Sequence, residues 1–212
     1  MFCELRSGKV FDPETFAPSD VDMGDICRGL AYQCRFNGHC DKFYSVAEHS
    51  IRVAAGLGEV GSRLWCLGLL HDAHEAYIGD VVTPVKRVLL DFNESWRRLE
   101  NRTQSVIYTA LGIRPPSDSE RQLVRESDHS CLMWEKSKLG FKLKWENETV
   151  EDLWDKFEKV GPIGWFPEDA EYSINIDLNL LVSCSSPKPN SPQPSPLGQA
   201  LARLGAGPRQ ES

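Results

Sequence analysis

The sequence predicts an all-α domain, a bundle of about six or seven helices, followed by a tail. Three observations carry this. Apolar residues recur three and four positions apart in one segment after another between residues 21 and 160, the period of an amphipathic helix. Glycine and proline stand between those segments, at Gly56, Gly58, Gly79, Gly112 and Pro115-Pro116, where helices stop. From Ser183 the composition turns to serine and closely spaced proline, as in Pro187-Lys188-Pro189 and Pro192-Gln193-Pro194, which favours extended, unpacked chain. Residues 1–182 are therefore expected to form one domain and residues 183–212 a disordered tail.

Taken in order, residues 7–13 read as a short extended or turn segment, with Gly8 and Pro13 as punctuation. Pro18-Ser19-Asp20 then supplies a helix start. Met23, Ile26 and Leu30 give residues 21–34 an apolar stripe, and Asp20, Asp22 and Asp25 suit the positive end of the helix dipole. A polar loop leads to a second helix over residues 43–55, carrying Val46, His49, Ser50 and Val53. The third is expected to run unbroken from Gly61 to Ile78, with Asp80 projecting just past its end. Residues 87–111 make one long helical pattern through Leu89, Trp96, Leu99, Val106 and Leu111. Ser117-Asp118-Ser119-Glu120 caps the next, with Leu123, Val124 and Leu132 facing inward. A last helix spans residues 151–160, with Leu153, Trp154 and Phe157 as its apolar face. Trp134, Trp145, Trp154 and Trp165 read as core and interface, because large rings dominate burial.

Composition narrows the function. No apolar run approaches the roughly 20 residues that span a bilayer, and the first residues lack a basic stretch followed by an apolar one, so no membrane association and cytoplasmic residence are expected. The seven cysteines include no Cys-x-x-Cys pair, which argues against a disulfide framework and a zinc ribbon. A net charge of -7 speaks against a nucleic-acid partner, since duplex binding needs a basic face to displace counterions. An anionic small molecule would need a metal or a local cationic clamp.

The chain is organised around Leu69-Leu70-His71-Asp72-Ala73-His74-Glu75-Ala76-Tyr77-Ile78-Gly79-Asp80. His71, Asp72 and Glu75 follow directly on an apolar run, and on a helix His71 and Glu75 would nearly stack. Burying such groups costs several kcal/mol unless they are paired or metal-bound. His49, His71-Asp72 and Asp128, from three segments, would together make a mixed nitrogen and oxygen site suited to Zn, Mn, Co or Fe(II).

The order His, His-Asp, Asp is similar to that of the HD-domain metal-dependent phosphohydrolases, an all-helical superfamily. The stretch from His71 to Asp80 followed by Thr83-Pro84-Val85-Lys86 resembles the HDAxE, GD, PxK block of its bacterial 5'-deoxynucleotidase branch. Cys34-Arg35-Phe36-Asn37-Gly38-His39 and Phe43-Tyr44-Ser45-Val46-Ala47-Glu48-His49-Ser50 resemble the compact phage members, the dATP triphosphohydrolases. The resemblance covers residues 8–135, and Phe36 stands where the bacterial enzymes carry tryptophan. It implies His49, His71, Asp72 and Asp128 as metal ligands, Glu75 and Asp80 as catalytic groups, and Arg35, Phe36 and Lys86 as substrate contacts. A further Mg ion could sit at Asp80 on a triphosphate. The implied reaction is dATP and water to deoxyadenosine and triphosphate, clearing dATP in phages that use 2-aminoadenine. A 5'-deoxynucleotidase acting on monophosphates and a non-catalytic nucleotide-sensing module are the alternatives. A homo-oligomer, dimer or hexamer, is expected by family analogy.

Overall fold

The computed structural model of the protein describes residues 2–92, 94–142 and 153–185. A small antiparallel hairpin of β1 (Cys3–Glu4) and β2 (Val10–Phe11) precedes α1 (Met23–Tyr32), α2 (Val46–Leu57), α3 (Arg63–Leu69), α4 (Glu75–Ile78), α5 (Thr83–Phe92), α6 (Ser95–Ala110), α7 (Asp118–Lys138), α8 (Trp154–Lys159) and α9 (Pro167–Ser185). The expected all-α class holds, with the hairpin as a minor addition. Phe11 of the hairpin packs with Phe16 and with Tyr77 of α4, which fixes the N-terminal segment to the body.

Helix α2 is the axis. Ser45 caps it by accepting from the Glu48 N–H at 3.0 Å, and ten of its residues, from Val46 to Gly56, are buried, so no face of it meets solvent over most of its length. α1, α3, α7, α8 and α9 all pack on it. Close approach is bought by glycine: a Cβ at Gly68 would meet the Ala54 backbone at 2.9 Å, and one at Gly29 would meet the Ala76 carbonyl oxygen at 2.7 Å. Ion-paired Glu48 and Arg52 tie α2 to the connection between α8 and α9. Arg52 donates to Glu48 (2.7 Å) and to the carbonyls of Phe157, Gly161 and Pro162, while Glu48 accepts from the N–H groups of Gly164 and Trp165. Both side chains are fully buried, and their cost is met because nearly every polar atom has a partner.

Four expectations need correction. The first long helix begins at Met23 rather than 21, because Asp22 caps it by accepting from the Gly24 and Asp25 N–H groups. The third helix is not continuous: α3 stops at Leu69, residues 70–74 form turns, and α4 is a separate four-residue turn. The Gln104 side chain of α6 causes this break. Its Nε2 donates to the Leu70 carbonyl (2.7 Å) and its Oε1 accepts from the His74 N–H (3.0 Å), so an amide is inserted where the bond from His74 to Leu70 would lie. The expected helix over 87–111 is two, α5 and α6, and α5 begins at Thr83, with Pro84 in its first turn where a missing N–H costs nothing. Leu123, expected inside, is exposed. Trp134 and Phe157 are buried as expected, and Trp145 lies outside the described residues, as do residues 186–212 of the expected tail.

Helix α9 was not anticipated. It lays Ala170, Ile174 and Leu178 against α1 and α2. Between the last two sits Asp177, 5% exposed, with no hydrogen-bond or ion-pair partner among the described residues. Burial pushes its carboxyl up to about 7 from the ordinary 3.8. A raised carboxyl means the folded state binds the proton more tightly, so stability falls as pH climbs from about 4 to about 7 and then levels. Asp177→Asn is expected to flatten that slope and to raise stability at pH 8 by up to about 4 kcal/mol. Urea unfolding at pH 5 and pH 8 checks it; equal wild-type stability at both would count against an unpartnered carboxylate.

Candidate metal centre

Four side chains that the sequence singled out meet between α2, the 70–74 turns and α7. His49 projects from α2, His71 and Asp72 from the turns, and Asp128 from α7. His49 Nε2 lies 3.3 Å from His71 Nε2, 3.1 Å from Asp128 Oδ1 and 3.8 Å from Asp72 Oδ2. His71 Nε2 lies 3.0 Å from Asp72 Oδ2 and 3.9 Å from Asp128 Oδ1. Ligands about 2.0–2.2 Å from a shared ion stand about 3.0–3.5 Å apart, close to these spacings. The helix break makes this possible. The Gly68 carbonyl, which would accept from the Asp72 N–H in an unbroken helix, accepts from His71 Nδ1 at 2.7 Å instead.

Which protons the imidazoles carry follows from their outer partners. His71 Nδ1 faces a carbonyl, which only accepts, so it bears the hydrogen. His49 Nδ1 lies 2.5 Å from Glu135 Oε1. Burial opposes ionisation of Glu135, but Arg35 and His49 outweigh it and hold the carboxyl down at about 2, so it too is an acceptor. On a neutral ring each Nε2 would then turn a lone pair inward, toward the other imidazole and toward two carboxylates. Such a group is repulsive unless a cation sits within it. The electrostatics agree: burial and Arg35 work against an imidazolium at His49, yet Glu135 and Asp128 raise it well above the usual range, and Asp72 raises His71 against its burial. The residues could hold a metal ion, with acceptors on the outer nitrogens of both histidines.

Glu135 is a residue the sequence reading missed. Fully buried on α7, it accepts from Tyr44 Oη (2.9 Å), Arg35 Nη2 (3.3 Å) and Cys131 Sγ (3.4 Å) besides His49. Its signal was present, since Asp128, Cys131 and Glu135 are spaced three and four apart and share one helix face. Arg35, expected to be a substrate contact, bridges Glu135 and, at 4.0 Å, Asp72. It still lies beside the ligand group.

Glu75 lies one short turn beyond the ligands. Oε1 pairs with Lys86 Nζ at 3.2 Å, while buried Oε2 has no hydrogen-bond partner among the described residues. Burial first, then Asp72 and Asp80, hold its carboxyl well above the usual range. Asp80, projecting beyond α4 as expected, is also raised, mainly by burial. Lys86 is shared between Glu75 and Glu100, the latter at 3.1 Å. Phe36 follows Arg35 in a strained segment: φ is 58° at Phe36, 52° at Asn37 and 73° at Gly38. Consecutive non-glycine residues in the left-handed region cost of order 1–3 kcal/mol each. The Phe36 ring packs on Phe141 with centroids 4.9 Å apart and stands 5.3 Å from the Arg35 guanidinium carbon. No helix among the described residues is long and apolar enough to cross a membrane.

Comparison with known proteins adds relatives but no activity. No family model matches the chain. It is 33% identical to the uncharacterized protein YfdR of Escherichia coli (strain K12) over 139 residues, 66% of this chain and 72% of the relative. It is 35% identical to an uncharacterized protein of Rhodobacter capsulatus over 115 residues, 51% of this chain and 57% of that protein.

Proposed function

The chain belongs to the family of Escherichia coli YfdR, and we propose that in this chain the buried cluster is the centre of a metal-dependent phosphohydrolase acting on deoxynucleoside 5'-phosphates. The observation that carries the reading is the meeting of His49, His71 and Asp72 ligand atoms within reach of one ion, with Asp128 Oδ1 3.1 Å from His49 Nε2 and, among the described residues, an unpartnered oxygen of Glu75 nearby. His49, His71, Asp72 and Asp128 would hold a Zn, Co or Mn ion, which when bound lowers the pKa of water and offsets phosphate charge.

This chain's own groups do the rest. Glu75, whose carboxyl burial raises well above the usual range, would give a proton to the departing 5' oxygen, and Asp80 would take one from the attacking water. Arg35 and Lys86 lend positive charge at the site, and Phe36 offers a ring face to a base. Departure of the 5' oxygen leaves a neutral nucleoside.

Two substrates compete. The Arg35 to His49 motifs favour dATP, as in the phage triphosphohydrolases they resemble. Ion pairing favours a monophosphate: Arg35 is engaged by Glu135 and Lys86 by Glu100, leaving less positive charge for a triphosphate unless Mg accompanies it. On that ground a 5'-deoxynucleotidase is the first reading and dATP triphosphohydrolase the second. Incubating the purified chain with dAMP or dATP, and with Mn, Co, Zn or Mg in turn, distinguishes them by the anion released. Phosphate from dAMP with dATP inert is the expected result, and triphosphate from dATP makes the second reading the right one. A metal-loaded chain that binds both and hydrolyses neither is a nucleotide sensor.

A further inference from the structure

Gln33 stands at the end of α1, two residues before Arg35, and its side-chain amide has a defined place. Nε2 donates to the Glu75 carbonyl oxygen at 2.7 Å, and Oε1 accepts from the Asp80 N–H at 2.8 Å. With a carbonyl on one side and an N–H on the other, only one orientation of the amide makes both bonds. The backbone carbonyl of Gln33 accepts from the Val46 N–H (3.1 Å) in the first turn of α2, three residues before His49. The Arg35 N–H donates to the Tyr44 carbonyl at 2.8 Å. A single residue thus joins the helix carrying the first imidazole, the loop carrying Arg35 and the segment carrying two acids.

That segment needs an outside support. Between Glu75 and Asp80 lie one helical turn and Gly79 at φ 85°, a conformation that glycine enters freely. A four-residue helix does not hold its own direction. The Gly79 N–H closes the turn on the Glu75 carbonyl at 2.9 Å, but nothing in that bond fixes the peptide that follows.

We infer that Gln33 is a positioning residue that sets where the Asp80 and Glu75 carboxyls stand relative to each other. The inference rests on the hydrolase reading of the site. Gln104 supports the opposite end of the same segment, but there the consequence is the helix break and the direction of His71 and Asp72, hence ion binding. Loss of the Gln33 bridge should instead spare the ion and disturb the two acids.

The test uses Gln33→Met and Gln33→Glu in the full chain, loaded with whichever ion supports wild-type turnover. Methionine keeps the length and loses both bonds. Glutamate keeps the outline but sets an oxygen against the Glu75 carbonyl. Metal content, thermal unfolding, and kcat and KM for dAMP and dATP are measured. Unchanged metal stoichiometry, KM within about threefold of wild type and kcat lower by about 10- to 100-fold are expected in both variants, the size that a small misplacement of reacting groups produces. Retained kcat in both overturns the inference, as does a kcat that falls only in proportion to lost metal or lost folded protein. Wild-type chain that binds the ion yet turns over neither substrate overturns the hydrolase reading itself, and the positioning role goes with it.

Discussion

Changing Glu75 to glutamine is expected to lower kcat by about 10²- to 10⁴-fold while leaving the bound ion in place. The isostere is the informative replacement. Glutamine can still accept from Lys86, fills the same volume, and is neutral, like the protonated form that burial and the neighbouring Asp72 and Asp80 favour at Glu75. What it lacks is a proton that can leave. Stability separates this outcome from simple damage. A raised carboxyl makes the folded state progressively costlier as pH climbs through the ordinary carboxylate range toward the raised value, so above that range the neutral amide removes a cost. Lys86 keeps Glu100 as its partner at 3.1 Å. The variant should therefore unfold at the same temperature as wild type or higher near pH 8 and yet be nearly inactive. An unchanged rate with either substrate would remove Glu75 from proton transfer and return the role to Asp80 or to solvent.

The parts of this site that could be read in the chain are those whose partners are close in sequence or belong to a motif. His71, Asp72, Glu75 and Asp80 fall within ten residues, and the helices bearing His49 and Asp128 announce themselves by caps at Ser45 and Ser117 and by apolar period. Distant side chains decide the rest. No proline or cap marks the end of α3 at Leu69, and Gly68 lies inside the helix rather than after it; the break comes from Gln104, over thirty positions along the chain. Gln33 could not be seen for the same reason, since its meaning is a bond to residues 75 and 80. α9 did leave a trace, with Pro167 at its start, Glu168 and Asp169 in its first turn, and Ala170, Ile174 and Leu178 four apart. Arg35 shows a different limit. It was expected as a phosphate clamp, and the buried carboxylate on α7 that it also pairs with was invisible as its partner from sequence.

Glu135 supports the other large expectation. Replacing it with alanine should weaken binding of the divalent ion by about 10- to 100-fold, because His49 loses the acceptor that fixes its Nδ1 hydrogen and aims its Nε2. It should also cost about 3–5 kcal/mol of stability, the usual result of leaving one member of a buried ion pair behind: among the described residues Arg35 would keep only Asp72 as an ion-pair partner, at 4.0 Å, and Tyr44 Oη would lose its acceptor. Glu135→Gln divides the two effects. The amide oxygen can still accept from His49, so ion affinity should fall less than in the alanine variant, while the charge opposite Arg35 is gone and most of the stability loss remains. The pH dependence carries the same sign. A carboxyl held at about 2 in the folded chain against an ordinary 4.5 contributes stability that is fully present above the ordinary value and is lost as pH falls toward 2. Wild-type chain should lose stability over that window more steeply than Glu135→Gln does. Isothermal titration with Zn or Mn and urea unfolding between pH 3 and pH 7 measure both quantities. Full ion affinity in the alanine variant would mean that His49 is oriented by α2 packing alone, and that the Glu135 network belongs to the core rather than to the centre.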